Sequence, residues 1–176
     1  MRRTRAALAQ ALLELADEQP FANLTIRALT DRADVGYATF FRHYVNLEAL
    51  LLDVLSGAVG ELAGLLQPTA DEGRLDDAGR QLFEYVAAKA GPLRVLFAAQ
   101  RGTALEPRLR SAVEARILAS VTFRSPAGVP PELAAHHLAA ASLAMVGWWL
   151  EHAMPYDAET MGRVYAQLVM RPIRGD

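Results

Sequence analysis

The chain has 176 residues, 52% of them hydrophobic, which is enough for one core, or two small cores sharing a helix, and too short for several independent domains. With no Cys, disulfide frameworks and thiolate metal sites are excluded, as fits a reducing compartment. A formal net charge of −2 gives no bulk attraction to a polyanion, so any nucleic-acid partner has to be read from local residues.

Apolar residues recur at three- and four-residue steps along most of the chain, and the spacing predicts an all-α fold. The first helix is expected over 4–18, with Leu8, Leu12 and Leu15 on one stripe, ending before Pro20, which cannot donate a helical hydrogen bond. The basic start of this segment is not a secretory signal, because Glu14, Asp17 and Glu18 interrupt its apolar run. Thr25 is placed to cap a second helix, 26–33, in which Ile26, Leu29 and Ala33 share a face. After Asp34, Val35 and Gly36 a third short helix spans 37–44. Asn46 then caps a long fourth, ending at Pro68 and able to join two lobes at a length of about 30 Å.

Beyond Pro68 the segment TADEGRLDD is a polar loop, and helices are expected at 75–90, 92–99, 105–122, 131–152 and 158–170. The apolar run LAAASLAMVGWWL (138–150) is thirteen residues long and stops at Glu151, so it is expected as a buried helix and not a membrane span.

Two short helices joined by a tight turn and braced by a third form a helix-turn-helix, whose second helix fits the major groove of DNA. Phe40 and Tyr44 are expected in its small core with Ile26, Leu29, Ala33 and Val35. Thr39, Arg42 and His43 fall at i, i+3 and i+4 on the opposite, DNA-facing side, and Tyr37 stands at the exposed end. Thr39 offers a methyl and a hydroxyl, Arg42 and His43 offer donors to phosphates, and Tyr37 reaches a base edge or the backbone.

The stretch LTIRALTDRADVGYATFFRHYVNLEALL, with Phe21 ahead of it, Ala33 and Val35 at the turn, Thr39 before two aromatics, and Glu48-Ala49-Leu50 opening the long helix, resembles the DNA-binding segment of the TetR family of bacterial transcriptional regulators. The similarity covers about residues 4–55. It implies a cytoplasmic, nucleoid-associated homodimeric repressor that binds a palindromic DNA operator. A head at 1–46 and a helical effector-binding and dimerisation domain at 47–176 are expected from it. Carried onto this sequence, the DNA contacts are Arg2, Arg3, Arg5, Thr25, Arg27, Gly36, Tyr37, Ala38, Thr39, Arg42 and His43.

Several positions depart from the family pattern. Asp34 stands where the turn usually has Gly, Gly36 where a Ser caps, Phe41 where a Tyr donates to phosphate, and Leu47 where a Lys is common. In residues 1–50 six arginines balance six acidic residues, so the head is formally neutral. DNA affinity then has to draw on the Arg2–Arg5 arm and on helix N-termini.

The C-terminal LAMVGWWLEHAMPYDAETMGRVYAQLV is similar to the last two helices of family members, which pair across the dimer. Ala140, Ala144 and Gly147 permit close approach, and Trp149 is expected beside them in the interface. An effector pocket is expected along Phe83, Val86, Phe97, Phe123, Met145 and Trp148, a lining that suits an apolar or aromatic small molecule. No cofactor or metal is expected: the neighbouring residues of His136-His137 and Glu151-His152 point apart on a helix. No nucleophile elbow occurs, and the chain is expected not to be an enzyme. The alternative from another class is a helical ligand-binding or protein-interaction module that has lost strong DNA binding.

Overall fold

The computed structural model describes residues 2–66, 75–100, 105–119 and 125–174. Its elements in chain order are α1 (Arg2–Glu18), a 3₁₀ turn (Phe21–Asn23), α2 (Ile26–Arg32), α3 (Tyr37–Phe41), α4 (Leu47–Leu66), α5 (Leu75–Ala88), α6 (Ala90–Gln100), α7 (Leu105–Leu118), α8 (Pro131–Glu151), α9 (Ala158–Tyr165), a π turn (Ala166–Met170) and α10 (Arg171–Arg174). The fold is all-α, as the periodicity indicates. α3 is shorter than the expected 37–44, because Arg42 and His43 already lie in a turn. The last helix runs on past 170 through a π turn. Pro172 explains that widening: it has no N–H for the Leu168 carbonyl, and its ring pushes against it.

Both side-chain caps named from sequence form. The Ala28 amide donates to Thr25 Oγ1 at 3.1 Å, and the Ala49 amide donates to Asn46 Oδ1 at 2.8 Å. The buried core of the head holds Leu8, Leu12 and Leu15 of α1, Leu29 of α2, Phe40 of α3, and Tyr44, with Leu50, Leu51 and Leu55 of α4. Leu105 and Leu109 of α7 belong to the same cluster, so the head is seated on the second half of the chain through continuous apolar contact. Full burial of each such leucine contributes about 1.5–3 kcal/mol. A second core gathers Phe83 and Val86 of α5, Phe97 of α6, Trp149 and Leu150 of α8, and Met161 and Tyr165 of α9. Half-buried Leu143 packs against both cores.

Polar contacts fix the helix pairs. Arg32 donates to both Glu18 carboxylate oxygens at 2.9 Å and lies 3.6 Å from Glu14, clamping α2 to α1. Hydrogen bonding to Arg32 holds the Glu18 carboxyl below its ordinary range. Lys89 and Tyr85 both donate to Glu61 Oε2, at 2.6 and 2.8 Å, and tie α5 to α4. Ser142 donates to the Leu138 carbonyl and accepts from the Tyr165 hydroxyl at 2.8 Å, satisfying the buried phenol. α8 is long and apolar enough to cross a membrane by length and composition. In this fold its Ala134, Ala135, Leu138, Val146 and Trp149 are buried in the bundle, as expected for a core helix.

α2 and α8 end in the same way, each in a Schellman motif without glycine. At α2 the Val35 amide reaches the Thr30 carbonyl at 3.0 Å and the Asp34 amide reaches Asp31, with Asp34 at φ 51°. At α8 the Met154 amide reaches the Trp149 carbonyl at 2.8 Å and the Ala153 amide reaches Leu150, with Ala153 at φ 57° and Met154 at φ 55°. Asp tolerates the left-handed region better than Ala does. Ala153→Gly is therefore expected to stabilise the fold by about 1 kcal/mol, read as a raised midpoint in urea. An unchanged or lowered midpoint would show that this turn is not strained.

Candidate nucleic-acid interface

The left-handed Asp34 closes α2 and aims the chain into α3, so the helix-turn-helix angle is set by a residue other than the usual glycine. Gly36 is the N-cap of α3 in extended conformation and offers no side-chain cap. Phe40, fully buried, and Tyr44 anchor α3 from below. Tyr44 also ties the turn after α3 to α4: its hydroxyl donates to Asp53 Oδ2 at 2.6 Å, and the Arg5 guanidinium lies 5.5 Å above its ring. Burial, with the Asp53 carboxylate beside it, pushes the Tyr44 phenol far above its ordinary value.

The residues singled out for DNA divide into three groups. Arg3, Arg5, Thr25, Arg27, Gly36, Tyr37, Ala38 and Arg42 are exposed on the head; Arg2 stands at the start of α1, and nothing is described of its side chain. Thr25 Oγ1 accepts from the Ala28 amide and keeps its hydroxyl hydrogen for a further acceptor. Thr39 and His43 are only half-buried to half-open. Thr39 Oγ1 accepts from Arg42 Nη2 at 2.9 Å, so those two act as one unit.

One of the two open rings of α3, Phe41, was not among the expected contacts. Phe41 is 47% exposed and Tyr37 54% exposed, one turn apart, with their ring centroids 5.3 Å from each other in edge-on contact. The i, i+4 spacing of the two aromatics was the available signal. Leu47 is half-buried and packs against the core of the head, so its side chain serves packing where a Lys would point to phosphate.

In the second half, a cleft of about 400 Å³ lies between α6, α7 and α8, lined by Phe97, Glu106, Arg110, Ala140, Leu143, Ala144, Gly147, Trp148 and Glu151. Of the expected pocket residues, Phe97 and Trp148 line it. Phe83 and Val86 do not; they are buried in the core, where Phe83 meets Trp149 edge-on at 5.1 Å. Met145 packs half-buried against that same core, and Phe123 lies outside the described residues. Three charged side chains in the lining correct the expectation of a purely apolar or aromatic one.

Trp149 is also corrected. It is 1% exposed within its own chain and its Nε1 donates to the Tyr156 carbonyl at 3.0 Å, so it is core and not interface. The neighbouring Trp148, 44% exposed, stacks on His152 at 4.6 Å. Consecutive residues point about 100° apart on a helix, so one of the two had to leave the core, and facing Phe83 selects Trp149. Ala140, Ala144 and Gly147 line the cleft, and a Cβ on Gly147 would stand 3.5 Å from the Phe97 ring. His136 Nδ1 pairs with Glu114 at 2.8 Å, and His152 Nδ1 with the Trp148 carbonyl at 2.8 Å.

Comparison with known proteins agrees with this geometry. Residues 8–54 match the sequence profile of bacterial regulatory proteins, tetR family. Over 61 residues the chain is 39% identical to an uncharacterized HTH-type transcriptional regulator, YxbF, of Bacillus subtilis (strain 168), a stretch that is 34% of this chain and 16% of that protein. Among solved structures, a candidate TetR-family regulator from Syntrophomonas wolfei matches with a TM-score of 0.77 at 16% identity, over 98% of this chain and 95% of the other. Thermus thermophilus FadR, a TetR-family transcriptional repressor solved with lauroyl-CoA, matches with a TM-score of 0.69 at 20% identity, over 95% and 93% of the two chains. At such identities the structures show the shared fold, while the profile match falls on the helix-turn-helix just described. Residues 8–54, the helix-turn-helix head just described, therefore match that of the tetR family of bacterial regulatory proteins.

Proposed function

We infer that this chain is a ligand-responsive DNA-binding transcriptional regulator, a repressor that binds a palindromic operator as a homodimer. The observation that carries this reading is the open surface of α3, with Tyr37, Ala38 and Phe41 exposed on a helix whose buried side is pinned by Phe40, and Arg42 exposed directly after it. In this reading residues 1–46 read DNA, while residues 47–176 bind the effector and the second copy. α4 joins the two, held to the head by the Tyr44–Asp53 bond and to α5 by Glu61. An effector seated in the cleft touches α6, α7 and α8, and α7 also packs into the core of the head through Leu105 and Leu109. Displacing α7 is thus a physical route from cleft to head, because packed cores switch between arrangements and do not deform continuously. The lining of Phe97 and Trp148 beside Glu106, Arg110 and Glu151 suits a small molecule with an apolar body and a polar end.

Thr39→Ala combined with Arg42→Ala tests the reading, since the two side chains are bonded to each other and leave the core untouched. Specific binding to a DNA site selected by the wild-type chain is expected to fall by about 100-fold, for one lost groove contact and one lost phosphate contact. Helicity and sedimentation are expected to be unchanged. Retained affinity in a mobility-shift titration would remove α3 from the DNA.

A second reading, a ligand-binding or interaction module with little DNA affinity, is favoured by one observation. Residues 1–50 are formally neutral, and one of their six arginines, Arg32, is already engaged by Glu14 and Glu18. Failure of the wild-type chain to select any DNA would decide for that reading.

A further inference from the structure

Phe41 belongs to the open surface of α3 but has been given no partner on the DNA, and it is among the most exposed large apolar residues of the head. Its ring is not loose. It contacts Tyr37 edge-on at 5.3 Å and the fully buried Phe40 edge-on at 5.4 Å, so it is braced between an exposed and a buried ring. It shares α3 with exposed Ala38 and is followed directly by Arg42, so this apolar patch is continuous with the polar DNA-facing residues.

An aromatic edge carried into the major groove meets donors and acceptors at every base pair and one apolar group, the C5-methyl of thymine. Pressed against any other base edge, a phenyl ring strips water from polar atoms and returns no hydrogen bond, which is unfavourable. Unlike a tyrosine at the same position, Phe41 has no hydroxyl to give a phosphate, so its only favourable partner in the groove is a methyl group.

We propose that Phe41, braced by Tyr37, reads thymine methyl groups in the major groove and makes thymine a required base in each half-site. This rests on the reading of α3 as the groove-entering helix. It also supplies what a neutral head lacks, since apolar contact adds affinity that salt does not screen.

The test uses the full chain. A binding site is first selected from random-sequence duplex DNA, and is then resynthesised with deoxyuridine replacing thymidine one position at a time. That exchange removes the methyl and keeps every hydrogen-bonding atom. Wild-type affinity is expected to fall about fourfold for each methyl in contact, the worth of one buried methyl or methylene group. For Phe41→Ala the uridine and thymidine versions are expected to bind equally at those positions. Phe41→Leu, which preserves an apolar contact, is expected to retain a thymidine preference and keeps the test valid should the alanine variant unfold.

Two results would overturn the proposal: equal wild-type affinity for thymidine and deoxyuridine sites, or a thymidine preference that persists undiminished in folded Phe41→Ala. Recovery of no site at all would instead overturn the DNA-binding reading on which the proposal rests, an outcome distinct from both.

Discussion

Gly162→Ala is expected to lower the stability of the protein by about 2 kcal/mol and its melting temperature by about 4–8 °C. α5 and α9 cross with their backbones in contact at Gly79 and Gly162. A Cβ on Gly162 would stand 2.5 Å from the Arg80 amide nitrogen and 2.8 Å from the Gly79 carbonyl carbon. Those neighbours are main-chain atoms and cannot rotate aside, so the two helices must separate and loosen the packing of Phe83 against Tyr165. Overpacking of this kind costs up to about 3 kcal/mol, offset by about 1 kcal/mol of improved helix propensity. Gly57→Ala in α4 is the internal control. Among the described residues nothing lies within 4 Å of a Cβ built there, so the propensity gain is expected to appear alone, as a small stabilisation. Thermal melts of the two variants that move together would show that α5 and α9 are not in backbone contact.

Ala144→Glu is expected to convert a dimer into monomers and to abolish operator binding with it. α8 carries Leu133, Ala144 and Trp148 exposed, the last two also lining the cleft beside α6 and α7, and Tyr156 and Leu168 are exposed beyond its end. Under the proposed two-fold arrangement these exposed apolar side chains meet the second copy. A glutamate at 144 stays hydrated in the monomer, so folding is spared. In the dimer it leaves an unpaired buried charge at each copy, costing about 3–5 kcal/mol apiece. Because both half-sites must be held together to read a palindrome, DNA affinity falls as the dimer does. Sedimentation velocity checks the first step and a mobility shift the second. An undisturbed dimer would move the seam away from α8.

The candidate DNA site was legible in part because its logic is local. Thr25 and Asn46 cap helices through hydrogen bonds to amides three residues on, and a turn closed by Asp34 depends only on the residues around it. Which side of α3 stays open depends instead on what packs beneath it. Five helical residues present every direction within little more than one turn, so the placement of Phe40 in the core brought Phe41 out and drew Thr39 and His43 partly in. Leu47 was ambiguous for the same reason: an apolar side chain at a helix start can face groove or core, and the neighbouring leucines took it into the core.

The helical periodicity, the two caps, the buried stripe of Leu8, Leu12 and Leu15, and the helix-turn-helix are determined by the sequence alone, because each follows from backbone hydrogen bonding and side-chain spacing within a few residues. The tertiary structure decided the rest. Phe83 selected Trp149 over Trp148 as the core tryptophan, and the approach of α7 to α8 gathered Glu106, Arg110 and Glu151 around a cleft that a one-dimensional list of apolar residues could not outline. Periodicity names the apolar stripe of each helix, but the side of that stripe that faces a neighbour is set by contacts between residues far apart in the chain. Those contacts exist only once the helices have docked.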